Sequence, residues 1–81
     1  MPFELTTHAK EMLKERGIIE SWIEETLTQP SRTELKDDNT VHFLKPVAEW
    51  GGRTLRVVVT RGSNPPRVIT AFFDRRAKGG I

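Results

Sequence analysis

The sequence contains no cysteine, which excludes disulfide bonds and thiolate metal sites. It also lacks any apolar run approaching the roughly 20 residues that span a bilayer. Its N-terminus has no apolar segment of the kind found in a secretion signal. A chain of 81 residues is long enough for one domain only. We therefore expect a soluble, cytoplasmic domain over residues 1–76 with no membrane partner, and a flexible tail at 77–81.

Sequence signatures of nucleotide and metal chemistry are absent too. There is no Walker loop, no Rossmann glycine fingerprint and no cluster of metal-ligating residues. There is no nucleophile elbow either. We therefore expect no cofactor and no metal ion. The chain has two histidines, His8 and His42, as candidates for proton transfer at neutral pH.

Charge is distributed unevenly along the chain, although the net charge is only +2. Residues 1–44 contain five basic and nine acidic side chains, a net charge of −4. Residues 45–81 contain eight basic and two acidic side chains, a net charge of +6, and most of the basic ones are arginine. Because a guanidinium can bind phosphate through two parallel hydrogen bonds, this half suits a polyanion. Ordinary solvated surface charge explains it equally well.

Two helices are predicted before residue 30. Thr6 or Thr7 can cap the first helix, which runs to about Arg16 and ends where Gly17 can adopt a left-handed conformation. The second helix is predicted over about residues 20–28. The spacing of Ser21 and Glu24 fits a capping box. Alternatively, Glu20 is already helical and Ser21 is not the cap.

Beyond Pro30 the apolar period changes from 3.6 to 2, which predicts strands at 32–35, 40–48, 54–60 and 67–74. Four consecutive strands linked by turns form an antiparallel meander, and the two helices can cover one of its faces. We therefore expect an α+β fold with two N-terminal helices packed on a four-stranded antiparallel sheet. The covered face is predicted to carry Leu55, Val57 and Val59 from one strand, and Ile69, Ala71 and Phe73 from the next.

Several side chains are candidates for chemistry on phosphate. His8, in the first turn of a helix, could exchange a proton, and Arg56, on a hydrophobic strand, could stabilise phosphorane charge. Alternatively, His8 caps or packs, and Arg56 forms a salt bridge with Glu34, Glu49 or Asp74. Arg75 and Arg76 could clamp a phosphate or blunt a sheet edge. His42 is expected to lie on the sheet surface, and Trp50 and Phe72 either stack on bases or pack in the core.

A set of short motifs is spread over about residues 5–75. It consists of Thr6-Thr7-His8-Ala9, Arg16-Gly17-Ile18, Leu55-Arg56-Val57-Val58-Val59 and Val68-Ile69-Thr70-Ala71-Phe72, together with Ile23, Leu27 and Pro30. As a set, these motifs resemble a bacterial family of small domains of unknown function that is similar in fold to RelE-type and BrnT-type toxins. The resemblance implies a RelE-like fold and places functional residues at His8, Arg16, Arg56 and Thr70. Two basic positions of the family are replaced by Thr7 and Met12, and Ile19 replaces its usual helix cap.

The leading functional hypothesis is a RelE-like RNA-cleaving toxin or ribosome-associated ribonuclease. His8 would transfer protons, Arg56 would act on the phosphate and Thr70 would support it by hydrogen bonding. Arg16, Arg53, Arg75 and Arg76 would bind nucleic acid. The alternative is a non-catalytic module that binds RNA or protein. Candidate partners are RNA and an acidic antitoxin-like protein, and the chain is expected to be a monomer or a homodimer.

Overall fold

The computed structural model of the protein describes residues 3–74. Its helices and strands follow the order β1 (Glu4–Leu5), α1 (Thr7–Arg16), α2 (Glu20–Thr28), β2 (Arg32–Leu35), β3 (Thr40–Val47), β4 (Arg53–Thr60) and β5 (Arg67–Asp74). A 3-10 turn at Ala48–Trp50 joins β3 to β4. The predicted flexible tail lies outside the described residues, as do Arg75 and Arg76. Neither of the two helices within residues 3–74 has the length and apolar content that a bilayer-spanning helix needs.

The sheet has five strands in the order β1-β5-β4-β3-β2, so the prediction of four antiparallel strands is wrong. The predicted meander exists as β2 to β5, but β1 adds a parallel strand beside β5. Its backbone bonds run from Glu4 N to Pro66 O at 2.9 Å and from Thr6 N to Val68 O at 3.1 Å. A strand of two residues is too short to show a period, so the pattern could not reveal it. The fold is therefore α+β with a mixed sheet.

The ends of α1 form as the sequence predicts. The Thr6 hydroxyl accepts a hydrogen bond from Ala9 N at 3.1 Å, which satisfies one of the exposed N–H groups of the first turn. Gly17 ends the helix with φ at 66°, a conformation that a side chain would strain. The second helix begins at Glu20, as predicted, with Ile19 at the cap position and no side-chain cap bond. The capping box considered at Ser21 and Glu24 does not form, because Ser21 already lies inside the helix.

One face of the sheet, which we call the core face, is covered by α1 and α2. The core contains Ala9 and Leu13 from α1, Ile18 from the connection, Ile23 and Leu27 from α2, and Val47, Leu55, Val57, Val59, Val68 and Ala71 from the strands. The prediction for β4 is confirmed. On β5 it is wrong at Ile69, because a bulge shifts the register so that Val58 faces Thr70 but Val59 faces Val68. The extra residue gives Val68 the buried position.

An aromatic cluster closes one end of the core. The ring centroids of Trp50 and Phe73 lie 4.7 Å apart, and that of Trp22 lies 6.2 Å from Trp50 and 6.3 Å from Phe73. The Trp22 indole N–H donates to the Glu49 carboxylate at 3.2 Å. Such edge-to-face and tilted contacts favour packing beyond the area they bury. Trp50 therefore packs within the domain, the second of the two roles considered for it.

The other face of the sheet, which we call the open face, is not covered by either described helix. Strand alternation and the pairing register place on it Glu34 from β2, His42 and Leu44 from β3, Arg56 and Val58 from β4, and Thr70, Phe72 and Asp74 from β5. This face is mixed in chemistry, and its charged residues come from three different strands, β2, β4 and β5.

Candidate functional site

Arg56 stands at the centre of the open face, and its side chain is only 13% exposed. Its Nε donates to Asp74 Oδ2 at 2.8 Å, and its Nη1 donates to Glu34 Oε1 at 3.1 Å. The two carboxylates arrive from strands on opposite sides of β4. A guanidinium removed from water needs such partners, because an unpaired charge there is costly. Of the salt bridges considered from sequence, those to Glu34 and Asp74 form, whereas Glu49 pairs with Trp22 instead.

Glu34 is the most heavily engaged acid on this face. Besides Arg56, it binds Arg32 through Nη2 at 2.8 Å and Lys36 through Nζ at 2.9 Å. The hydrogen bond from Lys36 contributes most, and that from Arg56 next, to lowering the pKa of Glu34 from 4.5 to about 2, while desolvation opposes them. The acid is therefore a carboxylate at any physiological pH, and it holds three cations beside one another.

His42 completes the cluster. Its Nδ1 lies 2.8 Å from Arg56 Nη1. Because a guanidinium can only donate, Nδ1 must accept, which places the imidazole proton on Nε2. Desolvation, followed by the charges of Arg56 and Lys36, lowers the pKa of His42. The ring is therefore neutral near pH 7, and Nδ1 can accept a proton only if Arg56 moves away.

The lowered pKa of Glu34 makes a testable contribution to stability. An acid with a lower pKa in the folded state stabilises the fold above its unfolded pKa, and this stabilisation is lost as the pH falls. For Glu34 the loss is expected between 4.5 and about 2. Urea midpoints at neutral pH and at about pH 3, inside that window, should fall more for the natural chain than for Glu34→Gln. Equal falls would contradict a role for Glu34 ionisation.

The residues predicted to form a catalytic site are not gathered in one place. His8 is exposed on α1, which packs on the core face, whereas Arg56 projects from the open face. The sheet therefore lies between the two side chains. Thr70 does share the open face with Arg56, two residues before Phe72, the β5 residue that pairs with Arg56. The imidazole that the fold brings to Arg56 is that of His42.

The arginines predicted to bind nucleic acid have different settings. Arg16 Nη1 donates to the Ala71 carbonyl at 2.7 Å, and its guanidinium lies 5.9 Å from the centre of the Phe72 ring. This hydrogen bond satisfies a backbone carbonyl of β5 that β1 does not reach, since β1 pairs with β5 at Arg67 and Val68. Arg53 is exposed at the start of β4 and, by alternation, belongs to the core-face side. Arg75 and Arg76 fall outside the residues described.

A shallow depression of about 430 Å³ surrounds the cluster. It is lined by Arg32, Glu34, Lys36, His42, Arg56, Phe72 and Asp74. Sequence analysis did not single out Arg32 or Lys36. The alternation of side chains along β2 could have pointed to Arg32, since it places Arg32 and Glu34 on one face of that strand. In the described part of the chain, no three His, Asp or Glu side chains are grouped to hold a metal ion.

Comparison with known proteins gives the chain a family but no activity. No curated protein and no solved structure matches it. The similarity to RelE-type and BrnT-type toxins therefore stays a prediction. One family model, described as a domain of unknown function, matches residues 5–73, from the end of β1 to the end of β5. This match covers most of the sequence, and the chain belongs to the DUF4258 family.

Proposed function

We propose that the protein is an RNA-binding module whose binding surface is the depression around Arg56 on the open face. The observation that carries the proposal is the charge of this surface. Among the residues that line it, Arg32, Lys36 and Arg56 are cations, Glu34 and Asp74 are carboxylates, and His42 is neutral, so the lining carries one net positive charge. Excess positive charge in a concave surface attracts the phosphate backbone.

Two of these cations are well placed to reach a phosphate. The side chains of Arg32 and Lys36 are 61% and 42% exposed, and each reaches Glu34 through one nitrogen. A guanidinium has five N–H donors and an ammonium has three, so one contact leaves donor capacity on both groups. The side chain of Arg56 is only 13% exposed, so it lies deeper in the depression than those of Arg32 and Lys36.

Phe72 adds an aromatic surface beside these charges. It is half-buried in the wall of the depression, and the Arg16 guanidinium lies near its ring. Bases of single-stranded RNA stack on aromatic rings and on guanidinium planes, and this contact tolerates any sequence. We therefore infer binding to single-stranded RNA with little sequence preference.

A ribonuclease of the predicted RelE or BrnT type is the second candidate. It is supported by the 2.8 Å approach of His42 to Arg56, which puts an imidazole next to a guanidinium. Such a pair suits proton transfer beside a stabilised phosphorane. His42 could transfer a proton only after RNA draws Arg56 away, because Arg56 otherwise donates a hydrogen bond to its Nδ1. His8 lies on α1, away from this pair, so in this candidate the proton-transfer group is His42.

The binding proposal predicts a specific effect of salt. Affinity for a fluorescent single-stranded RNA should fall as salt rises, since each phosphate contact contributes about 0.7 to the logarithmic slope. Replacing Arg32 and Lys36 together with glutamine should weaken binding and reduce the slope by about 1.4. Replacing Lys10 and Lys14, both exposed on α1, provides a control with the same change in charge. Fluorescence anisotropy over a salt series measures both quantities.

The same samples separate the alternatives. Equal losses of affinity in the two double variants would remove the depression from the binding site. Strand scission by the natural chain that disappears in His42→Ala would favour the ribonuclease, and scission lost only in His8→Ala would restore the site first predicted. The absence of RNA binding at any salt would contradict the proposal.

A further inference from the structure

The outer edge of β2 is open among the described residues, since β2 pairs only with β3. Lys36 N donates to Thr40 O at 3.0 Å, which directs the backbone of Lys36 towards β3. Because N–H and C=O groups alternate in direction along a strand, the backbone of Glu34 also points to β3. The N–H and C=O groups of Thr33 and Leu35 therefore point outward, where another strand could bind them.

The side chains along this edge carry an unusual arrangement. Leu35 is 66% exposed, the most exposed large hydrophobic residue described. It is flanked by residues of opposite charge, Glu34 before it and Lys36 after it. In an antiparallel pair of identical segments centred on Leu35, each glutamate would face the lysine of the other segment. The edge is thus complementary to a second copy of itself.

We propose that two copies of the chain associate through their β2 edges, antiparallel about a two-fold axis at Leu35. The two Leu35 residues would exchange backbone hydrogen bonds and cover each other's side chains. Glu34 of each copy would pair with Lys36 of the other. Opposite charges and apolar pairs at directly facing positions each stabilise a sheet. An isologous contact of this kind closes on itself as a dimer.

The neighbouring registers are less favourable. A two-fold axis at Glu34 would place the two Glu34 carboxylates opposite each other and Arg32 opposite Lys36, and like charges in facing positions destabilise the pair. An axis at Thr33 would pair Arg32 with Glu34, but it would leave Leu35 opposite Ser31. The register at Leu35 combines both charge pairs with burial of the exposed leucine.

Dimer formation would also change the open face. Arg32 and Lys36 line the depression at its β2 side, next to the proposed axis. The two depressions would therefore adjoin across a ten-stranded sheet, and Lys36 of one copy would complete the wall beside Glu34 of the other. This inference does not depend on RNA binding, because it rests on the backbone and side chains of β2.

Disulfide trapping tests both the contact and its register. The chain has no cysteine, so a single introduced thiol is unique. Facing residues of a hydrogen-bonded antiparallel pair have Cα atoms about 5.5 Å apart, which is within disulfide reach. Leu35→Cys should therefore oxidise rapidly to a covalent dimer. Thr33→Cys is the matched control, because the two Thr33 residues would lie roughly 14 Å apart.

Light scattering of the natural chain accompanies the trapping. We expect twice the mass of one chain in a concentration series, and the mass of one chain for Leu35→Arg, which places two cations on the axis. If the natural chain stays monomeric up to millimolar concentration, the proposal is wrong. The short length and the charges of β2 would then protect its edge from pairing with another strand. Trapping of Thr33→Cys as fast as Leu35→Cys would overturn the register.

Discussion

Replacement of Leu55 by alanine is expected to lower the free energy of unfolding by roughly 2–5 kcal/mol. Leu55 is fully buried on β4, in the core between the sheet and the two helices. The lost contacts and the remaining cavity both contribute, because a packed core relaxes only in part. A domain of 81 residues has a total stability of about 4–12 kcal/mol. The variant should therefore lose a large share of it, as measured by urea denaturation.

Ile19→Ala provides the control for this substitution. Ile19 is 51% exposed at the start of α2, so its truncation removes few packed atoms. Its effect should stay within about 0.5 kcal/mol, the usual range for surface changes. A similar loss in both variants would show that β4 does not form the centre of the core.

Elements whose ends and faces are specified locally could be predicted from the sequence. Thr6 offers a capping oxygen and Gly17 offers a left-handed end, so both limits of α1 are encoded within a few residues. Likewise, the charged Arg56 lies between Leu55 and Val57 on β4, which assigns these two apolar residues to the core face. Each of these features depends on neighbours in sequence, and the structure confirms them.

Features that depend on distant pairing could not be predicted. The two residues of β1 become a strand only because Arg67 and Val68 lie beside them in space. The bulge near Ile69 was hidden for a different reason. Both faces of β5 are apolar, so the pattern does not penalise a shift of one residue and cannot fix the register.

The candidate site, too, has one feature that could be predicted from the sequence and one that could not. The pairing of Arg56 with Glu34 and Asp74 follows from the need to neutralise a charge on a central strand, and it was among the alternatives considered. The position of His8 relative to Arg56 was not predictable, because it depends on which face α1 covers. Helix composition says which stripe is apolar, but not on which side of a sheet that stripe packs.

Replacement of Arg56 by methionine is expected to lower stability by about 2–3 kcal/mol, because it leaves Glu34 and Asp74 without their shared cation. Both carboxylates retain slight exposure, so the loss should fall below that of a fully buried pair. Arg53→Met is the matched control, since Arg53 lies on the same strand but is exposed. Urea denaturation at neutral pH compares the two variants, and equal stabilities would contradict a structural role for Arg56.

The same substitution should raise the pKa of His42. The charge of Arg56 helps to lower that pKa, and its guanidinium occupies the nitrogen that would take the proton. Titration of the imidazole proton resonances measures the change, with Arg53→Met expected to leave His42 near its natural behaviour. An unchanged His42 would mean that desolvation and the charge of Lys36 keep the ring neutral without Arg56. A raised pKa would mean that any ligand able to draw Arg56 aside also releases a base, and this would connect the proposed RNA binding on this face with the chemistry that a ribonuclease requires.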